Sequence, residues 1–258
     1  MRSLLWLRLF DKRKHSALSC TALTVIVLPR SMLEIEVRVF KQCTSLAKVA
    51  IPNCVTRIED EAFEDCPSLT SFTIPESVAS IGRRAFFGCS SLTSISLPSS
   101  LKKIGKEVFS GCALTSVAIP GSVVQIGCGA FSDCSLLASV SISNSIPQIA
   151  DEAFRNCIAL TSVTIPDSVL YIGIAAFAGC SALTSVTIPH SVTEIAEFAF
   201  SGCSSLTGLT IPDSVTKIGR QAFSGCSSLA SLTIPDVADI ADDAFPAGAP
   251  QTQAKADL

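Results

Sequence analysis

Apolar residues recur on a fixed schedule along this chain. In Leu183–Cys203, LTSVTIPHSVTEIAEFAFSGC, they fall at Leu183, Val186, Ile188, Val192, Ile195 and Ala199-Phe200, and a cysteine closes the segment. The next stretch, Leu206–Cys226, reads LTGLTIPDSVTKIGRQAFSGC and keeps an apolar residue at each of those places. Self-similarity at a fixed period of this length marks a solenoid and takes precedence over any local motif. Counted from the cysteine of each unit, apolar residues occupy offsets 3, 6, 8, 12 and 15, proline offset 9 and Ala-Phe offsets 19 and 20. The first unit reads Cys20, Leu23, Ile26, Leu28, Pro29, Met32, Ile35, Val39, Phe40; the second reads Cys43, Leu46, Val49, Ile51, Pro52, Val55, Ile58, Ala62, Phe63. The closing phenylalanines continue as Phe86, Phe109, Phe131, Phe154, Phe177, Phe200, Phe223 and Phe245, so ten units of 22 or 23 residues result.

Within a unit the pattern predicts two short extended pieces and a return. The segment around Val186 and Ile188 alternates in and out with period two and is rich in Val, Ile and Thr, which is a strand. Pro189 lacks a backbone donor and stops it. Val192 and Ile195 predict a second extended piece, and Ala199-Phe200 with the following Ser-Gly predicts a helical or 3₁₀ turn. One such unit cannot bury its apolar face alone, so neighbours must stack on it. At about 4.8 Å per strand spacing, ten units predict a rod or arc roughly 45–50 Å long.

Two units are one residue short, between Cys112 and Leu114 and after Pro235, both in turns where deletions are tolerated. In the sixth unit Ser143 replaces the proline and Pro147 appears later, predicting a local bend. The repeat makes residues 17–245 one array. Residues 1–16, with Leu4, Leu5, Trp6, Leu7, Leu9 and Phe10, read as an apolar cap over the open end or as a leader. Residues 246–258, PAGAPQTQAKADL, have no apolar period and read as a disordered tail.

Composition narrows the function classes. Apolar residues make up 48% of the chain, ample for a packed interior, while the formal net charge is only −3. A nucleic-acid binder would show a basic face or stripe, and none is present. No run approaches the ~18 apolar residues that span a bilayer. The segment MRSLLWLRLFDKRKH is broken by Arg8 and closed by Asp11, Lys12, Arg13 and Lys14, too soon for a signal peptide's apolar region. An intracellular setting follows if Met1 is the true start, and a cell-surface or secreted one if a signal precedes it.

Twelve cysteines invite a disulfide framework. Ten of them, Cys20, Cys43, Cys66, Cys89, Cys112, Cys134, Cys157, Cys180, Cys203 and Cys226, hold the same place in their units. They are expected to stack as a column of buried free thiols, because cysteine packs as a small hydrophobe. Only Cys54 and Cys128 are out of register.

The pattern LxxVxIPxxVxxIgxxAFxxC resembles the BspA-like class of leucine-rich repeats across residues 20–245. That resemblance implies a right-handed leucine-rich-repeat superhelix, with a parallel sheet on its concave face and short strands, turns or 3₁₀ segments on the convex side. It also implies the company of surface, adhesion and host-interaction proteins.

The outward strand positions, offsets 5 and 7, are the candidate binding surface. They are Ser71/Thr73, Ser94/Ser96, Ser116/Ala118, Ser139/Ser141, Ser162/Thr164, Ser185/Thr187, Gly208/Thr210 and Ser231/Thr233. Thr70, Thr93, Thr115, Thr161, Thr184 and Thr207 stand at the corner before them. The face is therefore short hydroxyls without charge, either a default solvated strand surface or a broad hydrogen-bonding surface for a protein or glycan. Tyr, Trp and Arg, the usual hot-spot residues, are missing from it, so binding there needs several units acting together. Val25, Val27, Ala47 and Ala50 make the first two units apolar instead, with Lys48 the sole charge. This end is either covered by residues 1–16 or is a contact site.

Catalysis is not indicated. His15 and His190 are the only histidines and lie far apart, and no cysteine pair has zinc-knuckle spacing. Gly82, Gly105, Gly127, Gly173 and Gly219 share one repeat turn rather than a phosphate loop, and Glu76, Asp167, Asp213 and Asp236 follow the proline as turn residues. No metal or other cofactor is expected. The reading is a noncatalytic protein-interaction scaffold using the hydroxyl sheet and adjoining turns. The alternatives are a surface adhesin for matrix protein or glycan, an ice-binding array and a structural spacer.

Overall fold

The computed structural model describes residues 22–235, 239–248 and 251–253. The segment 1–16 and Cys20 lie outside the described residues. Each repeat folds as one coil of a parallel β-solenoid, and corresponding strands of successive coils lie side by side. The first extended piece forms strands such as Ser185–Thr187, and the second forms two-residue strands such as Glu194–Ile195. The short strands pair in parallel across every coil from Glu34–Ile35 to Gln125–Ile126, and again from Gln148–Ile149 to Asp239–Ile240. Among the described residues there is no α- or 3₁₀-helix: the return side, expected to hold a helical turn, is a series of tight turns.

The reason lies in the backbone. Offset 18 has a left-handed conformation in coil after coil: Arg38, Glu61, Arg84, Glu107, Glu152, Ala175, Phe198 and Gln221 have φ between 52° and 58°. A second left-handed residue follows at offset 22, and there the chain uses Gly88, Gly111, Gly179, Gly202, Gly225 and Gly248, or Gln42, Asp65, Asp133 and Asn156. Alternating handedness turns every second N–H toward the next coil. Glu61 N–H donates to Arg83 O at 2.8 Å, Phe63 N–H to Ala85 O at 2.8 Å and Asp65 N–H to Phe87 O at 2.8 Å. A helix would spend these donors inside its own turn, whereas here they tie coil to coil. Left-handed geometry at residues as large as Phe198 is unfavourable locally and persists because these bonds fix it.

Gly82, Gly105, Gly127, Gly173 and Gly219 serve a different end. None has positive φ. A Cβ at Gly82 would sit 2.6 Å from Asp60 N, and one at Gly219 would sit 2.5 Å from Glu197 N. Close approach of neighbouring coils excludes a side chain at these places.

The core runs the length of the coil without interruption. Phe40 through Phe223 are fully buried and stack in order, with ring centroids 5.2–5.5 Å apart and planes within 21° of parallel. Phe245 continues the stack on Phe223 at 5.2 Å. Beside them runs the cysteine column, buried and free of disulfides from Cys43 to Cys226. From Cys66 onward each thiol donates to the carbonyl of the phenylalanine that closes the unit before the preceding cysteine, as in Cys66 Sγ to Phe40 O, 3.1 Å. Cys54, out of register, belongs to another column. It stands where Ser77, Ser100, Ser168 and Ser191 stand, and its thiol donates to Met32 O as Ser77 donates to Val55 O.

Pro147 marks a seam. Its equivalents Thr56, Ala79, Lys102, Val124, Leu170, Thr193 and Thr216 each donate a backbone N–H to the preceding coil. Pro147 has no hydrogen to donate, and there the short-strand sheet divides into its two five-stranded halves. The phenylalanine stack and the long-strand pairing of Ser116–Ala118 with Ser139–Ser141 cross the seam intact. Within the segment read as a tail, Gln251–Gln253 form a strand that pairs in parallel with Ser231–Ile234.

Candidate interaction surface

The long strands place their outward hydroxyls in register. Ser71 lies opposite Ser94 and Thr73 opposite Ser96; Ser116 faces Ser139; Ser162 faces Ser185 and Thr164 faces Thr187; Thr210 faces Thr233. Ser141 pairs with Ala118 and Ser231 with Gly208. The central residue of each strand is buried (Phe72, Val117, Val163, Val186, Leu209, Leu232) or partly buried (Ile95, Val140) and pins the register, since a one-residue slip would expose it. The flanking hydroxyls are exposed, with Thr233 partly covered.

Two kinds of hydroxyl must be separated. The corner threonines are consumed by the fold: Thr184 Oγ1 donates to Thr161 O at 3.1 Å, Thr93 to Thr70 O at 3.3 Å and Thr207 to Thr184 O at 3.4 Å. None of the offset 5 and 7 hydroxyls has a partner among the described residues, so each donor and acceptor faces outward unspent.

The family profile of the BspA type leucine rich repeat region matches this chain in overlapping spans, residues 11–138, 56–183 and 124–248. The chain belongs to the BspA-type leucine-rich-repeat family. It is similar to a leucine-rich repeat protein of Bacteroides ovatus ATCC 8483, with 34% identity and a TM-score of 0.80 over 84% of this chain. It spans 59% of the length of that protein. A leucine rich cell surface protein of Faecalibacterium prausnitzii A2-165 is 31% identical, with a TM-score of 0.53, coverage of 89% of this chain and 78% of that one. The T. pallidum leucine-rich repeat protein is 34% identical, with a TM-score of 0.59, coverage of 62% of this chain and 78% of that one. No curated protein matches the chain. Members of this family are repeat proteins of the interaction or surface type, and among the described residues no helix is long and apolar enough to cross a membrane.

The apolar end of this BspA-type sheet is exposed. Val25 and Val27 are 56% and 66% exposed, Val27 lies beside the exposed Ala50, and Ala47 is half-buried. Leu33 and Val37 of the same coil are also exposed.

The pattern of apolar positions left one charged feature unread. Offset 18 alternates in sign down four coils, Arg38, Glu61, Arg84, Glu107, and offset 21 adds Lys41 and Glu64. Stacking turns this into an ion network around two buried carboxylates. Arg38 grips Glu61 with two bonds of 2.7 and 2.9 Å, and Lys41 Nζ lies 2.7 Å from Glu61 and 2.6 Å from Glu64. Arg84 reaches Glu64 at 3.1 Å and Glu107 at 3.4 Å while resting 3.9 Å above the Phe87 ring. The Arg38 and Lys41 hydrogen bonds hold the Glu61 carboxyl well below the usual carboxylate range. Reading the sequence in columns of 23 residues exposes the alternation; reading it along the chain does not. Every charge in the network has a partner of opposite sign, which makes it a brace for the coils.

Proposed function

We propose that this chain is a noncatalytic protein-interaction scaffold that binds through the hydroxyl ladder of the long strands and the adjoining turns. The observation that supports this is the division of labour among the hydroxyls. The corner threonines lace the coils, while the residues beside them keep full hydrogen-bonding capacity on a registered, uncharged surface. Without aromatic or arginine anchors each unit contributes little, so the binding strength comes from many coils engaged at once. A fragment of three or four coils would then bind far more weakly than the whole array.

The test is affinity capture with the full chain and with a Ser185→Glu, Thr187→Glu, Thr210→Glu variant. Charge at three positions on two adjacent coils is expected to remove specific partners while leaving the fold unchanged by circular dichroism. An unchanged partner list would show the ladder to be a bare solvated face, and the chain a spacer. The likeness to a cell surface protein favours a second reading, an adhesin for matrix protein or glycan. Localising a tagged copy expressed from its own transcript start separates an exported chain from a retained one.

A further inference from the structure

The short-strand side of the coil carries a feature that the hydroxyl face does not. Small residues at offset 16 leave a channel between the side chains at offset 14 and those at offset 17. Toward the C-terminal coils the channel opens into a groove of 380 Å³, floored by Ala196, Gly219 and Ala241. One wall is Tyr171, Glu194, Lys217 and Asp239; the other is Ile174, Glu197 and Arg220. The volume lies within the range of small-ligand sites, roughly 300–1,000 Å³.

The groove floor presents backbone donors. Elsewhere in this channel the chain shows what such a donor takes: Asp60 Oδ1 accepts from Arg83 N–H at 2.7 Å, and Asp151 Oδ1 accepts from Ile174 N–H at 2.8 Å. Each time the acceptor comes from offset 17 of the preceding coil. For Glu197 N–H that residue is Ile174, which has no acceptor. For Arg220 N–H it is Glu197, one methylene longer than Asp, and no bond forms. The N–H groups of Glu197 and Arg220 have no partner among the described residues, and the glycine floor leaves the first of them uncovered.

The lining decides the class of ligand. Lys217 is held by Glu194 at 2.7 Å and Arg220 lies 3.6 Å from Asp243, so the cations are already matched and an anion gains nothing. An extended peptide fits poorly. Its same-side carbonyls repeat every ~6.8 Å and need a row of donors, whereas the groove leaves one amide, that of Glu197, uncovered. What the groove offers is one aromatic ring, one exposed aliphatic side chain, three carboxylates and one uncovered amide donor. That set recognises a neutral molecule with flat C–H faces and many hydroxyls.

We propose that the groove binds a neutral oligosaccharide laid along the solenoid axis. One sugar ring stacks on Tyr171 against Ile174. Hydroxyls of this and the following rings accept from the uncovered amide of Glu197 and donate to Glu194, Glu197 and Asp239. The groove is separate from the hydroxyl ladder, and its occupancy does not depend on whether the ladder binds protein.

Tyr171 is the only tyrosine in the chain, so its ring signals in NMR report on the groove without assignment. The full chain is titrated with neutral hexasaccharides of glucose, mannose and N-acetylglucosamine, up to about ten times a Kd of ~1 mM. At least one is expected to shift the Tyr171 signals and to give a saturable isotherm. Tyr171→Ala weakens that binding by about five- to tenfold and Tyr171→Phe largely preserves it, because the ring face rather than the hydroxyl carries the stack. The Ser185→Glu, Thr187→Glu, Thr210→Glu variant leaves it unchanged. The proposal falls if no neutral saccharide shifts Tyr171. It also falls if Tyr171→Ala, folded by circular dichroism, binds as the parent does, or if only anionic saccharides or extended peptides move the signals.

Discussion

The thiol of Cys157 donates its hydrogen to the carbonyl oxygen of Phe131 at 3.3 Å. The same bond recurs from Cys66 to Cys226, so the two columns that fill the coil are also hydrogen-bonded to each other. Burial raises these thiols: Cys89, Cys134 and Cys180 are pushed up to about 12 and Cys226 to about 11. Iodoacetamide at neutral pH is therefore expected to spare the column in the native chain and to label it only on unfolding, as read by mass spectrometry.

The same shift sets the alkaline limb of stability. Each column thiol from Cys66 to Cys226 has a folded pKa above its unfolded value of about 8.5, so its contribution is fully present below that pH and is lost as pH rises toward the folded pKa. Each thiol adds a slope of about 1.4 kcal/mol per pH unit in that window. The urea midpoint should hold level up to roughly pH 8.5 and then fall steeply. Replacing Cys134 and Cys180 by Ala should make that fall shallower while lowering the midpoint at pH 7.

Removing one ring from the middle of the stack should be costly. Phe154 is fully buried between Phe131 and Phe177, and Phe154→Ala is expected to destabilise by about 3–5 kcal/mol in urea unfolding. Phe245 touches one ring among the described residues and is only half-buried, so Phe245→Ala should cost distinctly less.

Glu61 sets the acid limb. Its carboxyl is depressed in the folded state, so its contribution is present above the unfolded value of about 4.3 and is lost as pH falls below it. Glu61→Ala removes the partner of the half-exposed Arg38 and one of the two partners of Lys41, which keeps Glu64, and is expected to lower the melting temperature at pH 7. Thermal melts at pH 7 and pH 3 check the sign: the gap between parent and variant should narrow in acid.

Pro147→Thr supplies the donor that its equivalents have. The new N–H should bond to Val124 O and join the two halves of the short-strand sheet, a gain of about 0.5–1.5 kcal/mol less the stiffness proline gives the native chain. Hydrogen exchange is the direct readout. The amide of the introduced threonine should exchange slowly, and rapid exchange there would show that the seam has another cause.

How much of this was legible beforehand follows from what each residue depends on. Whether Val186 points inward, Ser185 outward and Cys203 into the core depends on its place within a single repeat, so counting offsets was enough. The hydroxyl face and the thiol column followed from the same count. The return side was misjudged because Ala199-Phe200 has ordinary helical composition. Only the neighbouring coil, by taking the N–H of Phe198 and Phe200, makes the left-handed alternative the better one.

The sequence by itself determined the period, the coil and the sorting of side chains into core and surface, because burial repeats with the covalent chain. Only the tertiary structure decided what depends on residues a coil apart: the Arg38–Glu61–Arg84–Glu107 brace, the seam at Pro147 and the groove beside Gly219. The physical reason is that these contacts run along the stacking axis, perpendicular to the chain, at a spacing set by inter-coil hydrogen bonds that no local pattern encodes.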